Sequence, residues 1–299
     1  MTMWWLAIAV LAAQAAMPVK LATSDARAIA DGIAAQRAKE QEWLRSGATS
    51  YLATVARIDF GDRPTLTVGS AADSDVRLDG PGILAQHLRV SVEGDRFRIE
   101  AASPEARFTH GGQALGEAVV SPTGIGVGRF LLRLSHQRFP AIIVFDPQSP
   151  RFKEYKGLQY FPIDLAYRYE LPLTRNPEPD PVIIMSTLGH RRRAERVGWF
   201  DFQVGGTACR LEATRLVEPG VGEHDLIVLF RDATSGTESY PLGRYVDPKR
   251  LPDGRYVLDF NTAYNPACAY SDHYNCPIPP KANTLPVPVR AGEKDSRYH

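Results

Sequence analysis

Hydrophobic and polar positions change their period twice along the chain. Between Thr23 and Arg45, Ile29 and Ile33 sit one helical turn apart, Trp43 and Leu44 continue the stripe, and Arg, Lys, Gln and Glu fill the other faces. That spacing predicts one amphipathic helix, capped by Ser24 or Asp25, laid against the protein body or spacing it from a membrane. From about Thr49 the period drops to two. Leu88, Val90 and Val92 alternate with Arg89 and Ser91, Glu93-Gly94-Asp95 turns the chain, and Phe97 and Ile99 alternate with Arg96 and Arg98. This predicts a hairpin with one buried and one wet face. Phe200, Phe202 and Val204 alternate up to Gly205-Gly206, and Cys209, Leu211 and Ala213 alternate away from it, a second hairpin. Val182 to Met185 is a short apolar run, and Leu226 to Phe230, wholly apolar, is expected as a central strand. The run His190-Arg191-Arg192-Arg193 is expected as a solvated loop.

Past Asp259 the period disappears. Asp259 to Lys294 is dense in Pro, Asn, Tyr and Cys. Pro fixes φ and removes an amide donor, so the stretch can form neither a helix nor a central strand. It nevertheless carries Phe260, Tyr264, Tyr270 and Tyr274, which disordered tails lack. The expectation is an ordered wrap whose polar side chains satisfy its own exposed backbone.

Composition and charge narrow the classes. The chain of 299 residues is long enough for two domains or one large one, and its 24 Gly and 23 Pro favour a turn-rich all-β body. Lys and Arg total 35 against 34 Asp and Glu, which leaves no nucleic-acid footprint. At the N-terminus an apolar run from Trp4 to Ala13 leads into Ala13-Gln14-Ala15, the small-x-small pattern that precedes a signal cleavage site, although no Lys or Arg stands before it. The run is too short for a clear transmembrane span. An exported protein, periplasmic or envelope-associated, is the expectation.

Two resemblances add to this. Leu66-Thr67-Val68-Gly69-Ser70, Ser74-Asp75-Val76-Arg77-Leu78, His87, His110-Gly111-Gly112, Leu115 and Ile125-Gly126-Val127-Gly128 together resemble a forkhead-associated (FHA) domain. That resemblance covers roughly Leu66 to Leu134 and implies a β-sandwich. FHA domains bind phosphothreonine, but Ser70 stands where the family has Arg, Ala85 where it has Ser, and His110-Gly111 where it has Asn-Gly. A phosphate needs charge-assisted donors, and the best are missing. Further along, FRDATSG from Phe230, then DFN-AYNP-CAY, CP-PP, N-LP and RAGEK closely resemble the bacterial domain-of-unknown-function family numbered sixteen eighty-four. With the FHA-like stretch, this covers most of residues 50 to 294 and implies membership without an activity.

The expected fold is therefore mainly β: an FHA-like antiparallel β-sandwich followed by a second antiparallel β domain, with one N-terminal helix and a Pro-rich C-terminal wrap. The divisions read as an apolar segment 1–21, a helix within 22–48, the sandwich at 49–146 and the second domain at 147–299.

Candidate chemistry lies in the C-terminal part. Asp232, Tyr240, Arg244, Asp259, Asn261, Tyr264 and Asn265 offer both charge signs, amides and aromatics, a mix that suits a small polar ligand such as a sugar or an amino acid. The same residues would equally serve as a buried hydrogen-bond network pinning the wrap to the sheet. Cys268 and Cys276 flank His273 in the spacing C-x4-H-x2-C; in an exported protein a disulfide between the two cysteines is the plainer reading, with a metal site or structural thiols as the alternatives. No P-loop, dinucleotide fingerprint, H-E-x-x-H or G-x-S-x-G occurs, and no cofactor is expected. The function expected is a non-catalytic envelope protein that binds a small ligand or a protein partner. The alternative is a hydrolase or transferase built on Asp232, Arg244, Asp259 and the AYNP loop.

Overall fold

The structure, a computed structural model, describes residues 23–298. The expected apolar segment 1–21 lies outside them. The helix runs Thr23–Ser46. Its apolar stripe buries Ile33 and Leu44, and Leu44 packs with Leu52, Leu158, Ala269 and Tyr270. Polar side chains on the same face also hold it down. Arg37 donates to the carbonyls of Phe161 and Asn261, and Gln41 donates to that of Leu158. The helix is thus laid against the body.

Short alternating strands build a sandwich. One sheet orders Thr54–Asp59, Pro140–Phe145, Phe130–His136, Thr123–Val127, Phe108–His110 and Gln113–Leu115. The other orders Val76–Arg77, Thr65–Gly69, Leu88–Glu93, Arg96–Ala101 and Glu117–Val120. The inward residues of both, among them Leu66, Val90, Phe97, Phe108, Ile125 and Leu132, form one core cluster. The hairpin pairs Leu88 with Ala101 and Glu93 with Arg96, and Gly94 at φ +60° makes its turn. Buried His87 ties the loops at one end: its Nδ1 accepts the Leu84 amide at 3.2 Å and its Nε2 lies 2.9 Å from the Arg107 carbonyl. Gly69 is required there, because a Cβ would sit 2.1 Å from the Ala85 carbonyl oxygen. Ser70 commits its hydroxyl to the Ile83 carbonyl, so it does not replace the missing phosphate donor.

The second β part has its own core, centred on Phe200, Phe202, Leu211, Phe230, Leu258 and Phe260. Its main sheet joins Thr174–Met185, Arg191–Val204 and Thr207–Leu216. Val204 pairs with Thr207 across Gly205 and Gly206, both at positive φ, as a two-residue turn demands. The apolar run ending at Phe230 is buried but lies in a two-stranded sheet: Val228–Phe230 pairs with Arg244–Val246, and Ile227 adds one isolated bridge to Thr214. The arginine run departs from expectation. It is not a loop but the start of a strand, and alternation turns Arg192 inward while Arg191 and Arg193 stay wet. Arg192 is buried because Glu218 receives it through two hydrogen bonds of 2.6 and 2.7 Å and the Asn275 carbonyl takes a third.

Residues 260–298 contain three single 3-10 turns, isolated bridges and no ladder. Side chains do replace the ladder. Buried Asn283 accepts the Glu212 amide and donates to the carbonyls of Glu212 and Leu229. The wrap also joins the two β parts, since Cys268, Tyr274 and Cys276 pack with Ala53, Ile143 and Phe145 of the sandwich. Tyr274 adds a 2.7 Å hydroxyl–hydroxyl bond to Thr54.

Candidate functional site

The seven polar residues read as one candidate site separate in the structure. Asp232 and Arg244 are both buried and lie 2.8 Å apart. The second Asp232 oxygen accepts the Thr234 amide and hydroxyl, and the Arg244 guanidinium also donates to the carbonyls of Val289, Ala291 and Glu293. Phe161 and Phe230 cover its faces at 5.6 and 5.2 Å. Burial lowers the Arg244 pKa, with Asp232 opposing. The cluster is closed and paired, so it pins the wrap rather than opening to a ligand. Asp259 likewise caps the turn at Asn261, which exchanges bonds of 2.9 Å with the backbone of Asp164. Tyr240 rests its hydroxyl 3.9 Å from the Cys268 sulfur. The AYNP loop therefore does not meet Asp232, Arg244 and Asp259 in a cleft, and the hydrolase or transferase site expected from them is not assembled.

The cysteines also depart from the leading expectation. Cys268 and Cys276 stand side by side as thiols rather than as a disulfide, with the Cys268 amide donating to the Cys276 sulfur at 3.3 Å. The thiol hydrogen bond between them lowers the Cys268 pKa and raises that of Cys276. Among the described residues no group of His, Cys, Asp and Glu is gathered to hold a metal ion, so the C-x4-H-x2-C set does not form a ligand sphere. No helix of the described residues is long and apolar enough to cross a membrane.

Tyr264 and Asn265, the other two residues of the seven, face a cavity of about 350 Å³ between the helix and the wrap. The helix contributes Glu40, Trp43 and Leu44, the segment after it Tyr51, the loop beyond Val246 Asp247, and the short strand Lys249–Arg250 contributes Lys249. The wrap contributes Tyr264, Asn265, Tyr270 and Glu293. The backbone around Gly292 sets the last of these. Gly292 has φ +77°, and a Cβ there would lie 2.6 Å from the carbonyl oxygens of both Phe260 and Ala263. Gly292→Ala is expected to cost roughly 1–3 kcal/mol of stability in urea unfolding; an unchanged midpoint would contradict this conformation.

Glu293 is the unusual group. It is buried, accepts the Asn265 amide at 2.7 Å and the Tyr270 hydroxyl, and among the described residues has no cationic side chain in hydrogen-bond contact. Burial pushes its carboxyl up to about 8, the Asn265 amide opposes, and the Glu40 charge adds to the rise. Glu40 accepts from Gln36 and from the Tyr160 hydroxyl, and Asp247 accepts from Tyr264 at 3.2 Å. Burial, and then the Asp247 charge, raises the Tyr264 phenol. The sequence reading missed Glu40, Trp43, Tyr51, Asp247, Tyr270 and Glu293 as site residues. Glu293 stood in the RAGEK motif and Tyr270 in CAY, but no spacing ties either to a helix more than two hundred residues away.

Fold and cavity together define a mainly-β protein whose Pro-rich C-terminal wrap closes a carboxylate- and aromatic-lined pocket beneath an N-terminal helix. Residues 153–294 match the model of the family described as Protein of unknown function (DUF1684), and that stretch of the chain belongs to the family. Of the cavity residues, Asp247, Lys249, Tyr264, Asn265, Tyr270 and Glu293 fall inside the matched stretch, and the helix residues fall outside it. Among solved structures, an uncharacterized protein of Haloarcula marismortui, determined in solution by NMR, is 36% identical. The similarity covers 52% of this chain and 85% of that one, with a TM-score of 0.41. A domain from a study of phosphothreonine-dependent FHA interactions is 16% identical over 31% of this chain and 95% of that one, with a TM-score of 0.22. Mycobacterium tuberculosis EmbR, solved with a low affinity phosphopeptide, is 13% identical over 42% of this chain and 32% of its own, with a TM-score of 0.22. No curated protein matches the chain.

Proposed function

We propose that the chain is a small-ligand-binding protein of the cell envelope and that its site is the cavity between the helix and the wrap. The observation that carries this reading is the contrast between the two polar clusters. Asp232 and Arg244 satisfy each other in a closed core, whereas the cavity combines open volume, half-buried aromatic faces and convergent polar groups, the usual composition of a ligand pocket. Export rests on the pattern ending at Ala13-Gln14-Ala15, and mass spectrometry of the mature N-terminus from cells tests it: an intact Met1 in the mature pool would remove it.

The binding reading is tested by titrating a chemically diverse fragment library against the full chain while following Trp43, which lines the cavity. Thr262→Trp, at a half-buried lining position, fills the space and serves as the blocked control. Saturable fragments that perturb Trp43 and are lost in Thr262→Trp would support the proposal. A library with no member that does so would sink it. One observation favours a reaction in the same place: Glu293 holds its proton near neutral pH beside the Tyr270 hydroxyl, the state a general acid needs. Turnover of a bound fragment that Glu293→Gln abolishes would establish that reading, and unchanged fragments throughout would exclude it.

A further inference from the structure

We propose that the ligand of this cavity is a small organic ammonium ion carrying at least one N–H, with an apolar or aromatic body. The inference rests on the cavity being the binding site and names the chemical class that site selects. Three observations carry it.

The first is the sign of the lining. Glu40 from the helix, Asp247 from the loop and Glu293 from the wrap converge on one space, against a single lining cation, Lys249. Arg37 on the helix is directed elsewhere: its two terminal nitrogens donate to the Phe161 and Asn261 carbonyls and its guanidinium carbon lies 4.5 Å from the Tyr160 ring centroid, with its Nε buried and unpaired among the described residues. The second is the set of ring faces. Trp43, Tyr51, Tyr264 and Tyr270 line the same space, and a cation over such faces gains about 0.5–2 kcal/mol as it is desolvated. Tyr51 stacks on Tyr270 at 5.0 Å and stands edge-on to Trp43 at 4.8 Å, so the rings are held by one another and need little ordering on binding.

The third observation separates an ammonium with N–H from a fully substituted one. Asn265 is 2% exposed and lines the cavity, and its side-chain oxygen, itself covered, has no hydrogen-bond partner among the described residues. The orientation of the amide is fixed chemically, because its nitrogen lies 2.7 Å from the Lys294 carbonyl, which only accepts. A buried acceptor left unpaired costs about 1–3 kcal/mol, and an ammonium N–H that displaced the atoms covering this oxygen would satisfy it. An anion would instead meet two carboxylates and an orphan acceptor.

Binding would also displace a proton. Glu293 is neutral at pH 7 in the empty cavity, since burial holds its carboxyl at about 8. A cation beside it favours the carboxylate, so the proton leaves as the ligand enters. The other titratable groups facing the space are Glu40, Asp247, whose carboxyl burial also raises, the Tyr51, Tyr160 and Tyr264 phenols raised by burial, Tyr270 and Lys249. Among them Glu293 is the carboxyl that burial pushes up to about 8, next to neutrality.

The test uses the full chain and three probes of one shape: phenethylammonium, its neutral isostere phenethyl alcohol, and the anion phenylacetate, measured by titration calorimetry at pH 7. The ammonium is expected to bind at least tenfold more tightly than the alcohol, and phenylacetate not at all. Asp247→Asn, which keeps an oxygen for the Tyr264 hydroxyl, is expected to weaken the ammonium about fivefold more than the alcohol. In buffers of different ionisation enthalpy the ammonium should release close to one proton per molecule bound, roughly as expected from a carboxyl one unit above the working pH, and Glu293→Gln should abolish that release. Equal affinity for ammonium and alcohol, a preference for phenylacetate, or an Asp247→Asn variant with unchanged ammonium binding would each overturn the proposal. If charge-blind fragments still bind at Trp43, the cation class fails and the pocket survives. If no fragment or probe perturbs Trp43, both fail together.

Discussion

Arg244→Ala is expected to lower the free energy of unfolding by about 3–5 kcal/mol, measured as a shift in urea midpoint at unchanged slope. The change removes a guanidinium with 1% side-chain exposure whose nitrogens hold Asp232 and the carbonyls of residues 289, 291 and 293. What remains is a carboxylate with no exposed side-chain surface and no cationic partner, together with three carbonyls that lose their donor. That is a large fraction of the roughly 5–15 kcal/mol a domain has in total. The paired change Arg244→Met with Asp232→Leu should recover much of the loss, because replacing both partners by apolar groups removes the desolvation penalty along with the attraction. A ligand site would behave otherwise. If Arg244→Ala left the midpoint within about 0.5 kcal/mol of wild type, the pair would not be structural and the division drawn between the two polar clusters would be wrong.

Glu293 should make the protein lose stability as pH rises through the neutral range. Its carboxyl titrates at about 8 in the folded chain against an ordinary value of 4.5. The sign follows from proton binding. Below 4.5 the group is protonated in both states and its stabilising contribution relative to the ionised form is fully present. Between 4.5 and 8 the unfolded chain ionises while the folded chain does not, so stability falls steadily, and above 8 the contribution is gone. The span corresponds to on the order of 4–5 kcal/mol. Thermal midpoints across pH 5 to 9 should therefore decline in wild type. Glu293→Gln keeps a side-chain oxygen for the Asn265 amide but cannot ionise, so its curve should be flatter and cross the wild-type curve, with the variant the more stable protein at pH 9. Parallel curves would show that Glu293 is not the group that titrates. The same variant loses the proton release expected on ligand binding, which ties the two measurements to one carboxyl.

Much of the architecture was legible because it depends on local periods. Phe200, Phe202 and Val204 alternate into Gly205-Gly206, and the ladder found there pairs Phe202 with Cys209 and Val204 with Thr207. The helix from Thr23 could be read from one stripe, and the wrap from the density of Pro beside aromatics. The arginine run was misread because charge alone was weighed, whereas alternation within a strand places Arg192 inward whatever its charge, and only Glu218, twenty-six residues on, makes that tolerable. The cysteine spacing allowed a disulfide, a metal or thiols, and the structure holds thiols.

The candidate site is a different case. By itself the sequence determined the hairpins, the helix, the ordered character of the wrap and its family, since each is written in residues close along the chain. Only the tertiary structure decided which polar groups are used up and which remain available. Asp232 and Arg244, twelve residues apart, close on each other with the help of backbone carbonyls near residue 290. Glu40, Asp247 and Glu293 share one cavity because the wrap returns beneath the helix. A carboxylate's role depends on whether its partner is a guanidinium, water or empty space, and those partners come from segments whose separation leaves no trace in local pattern.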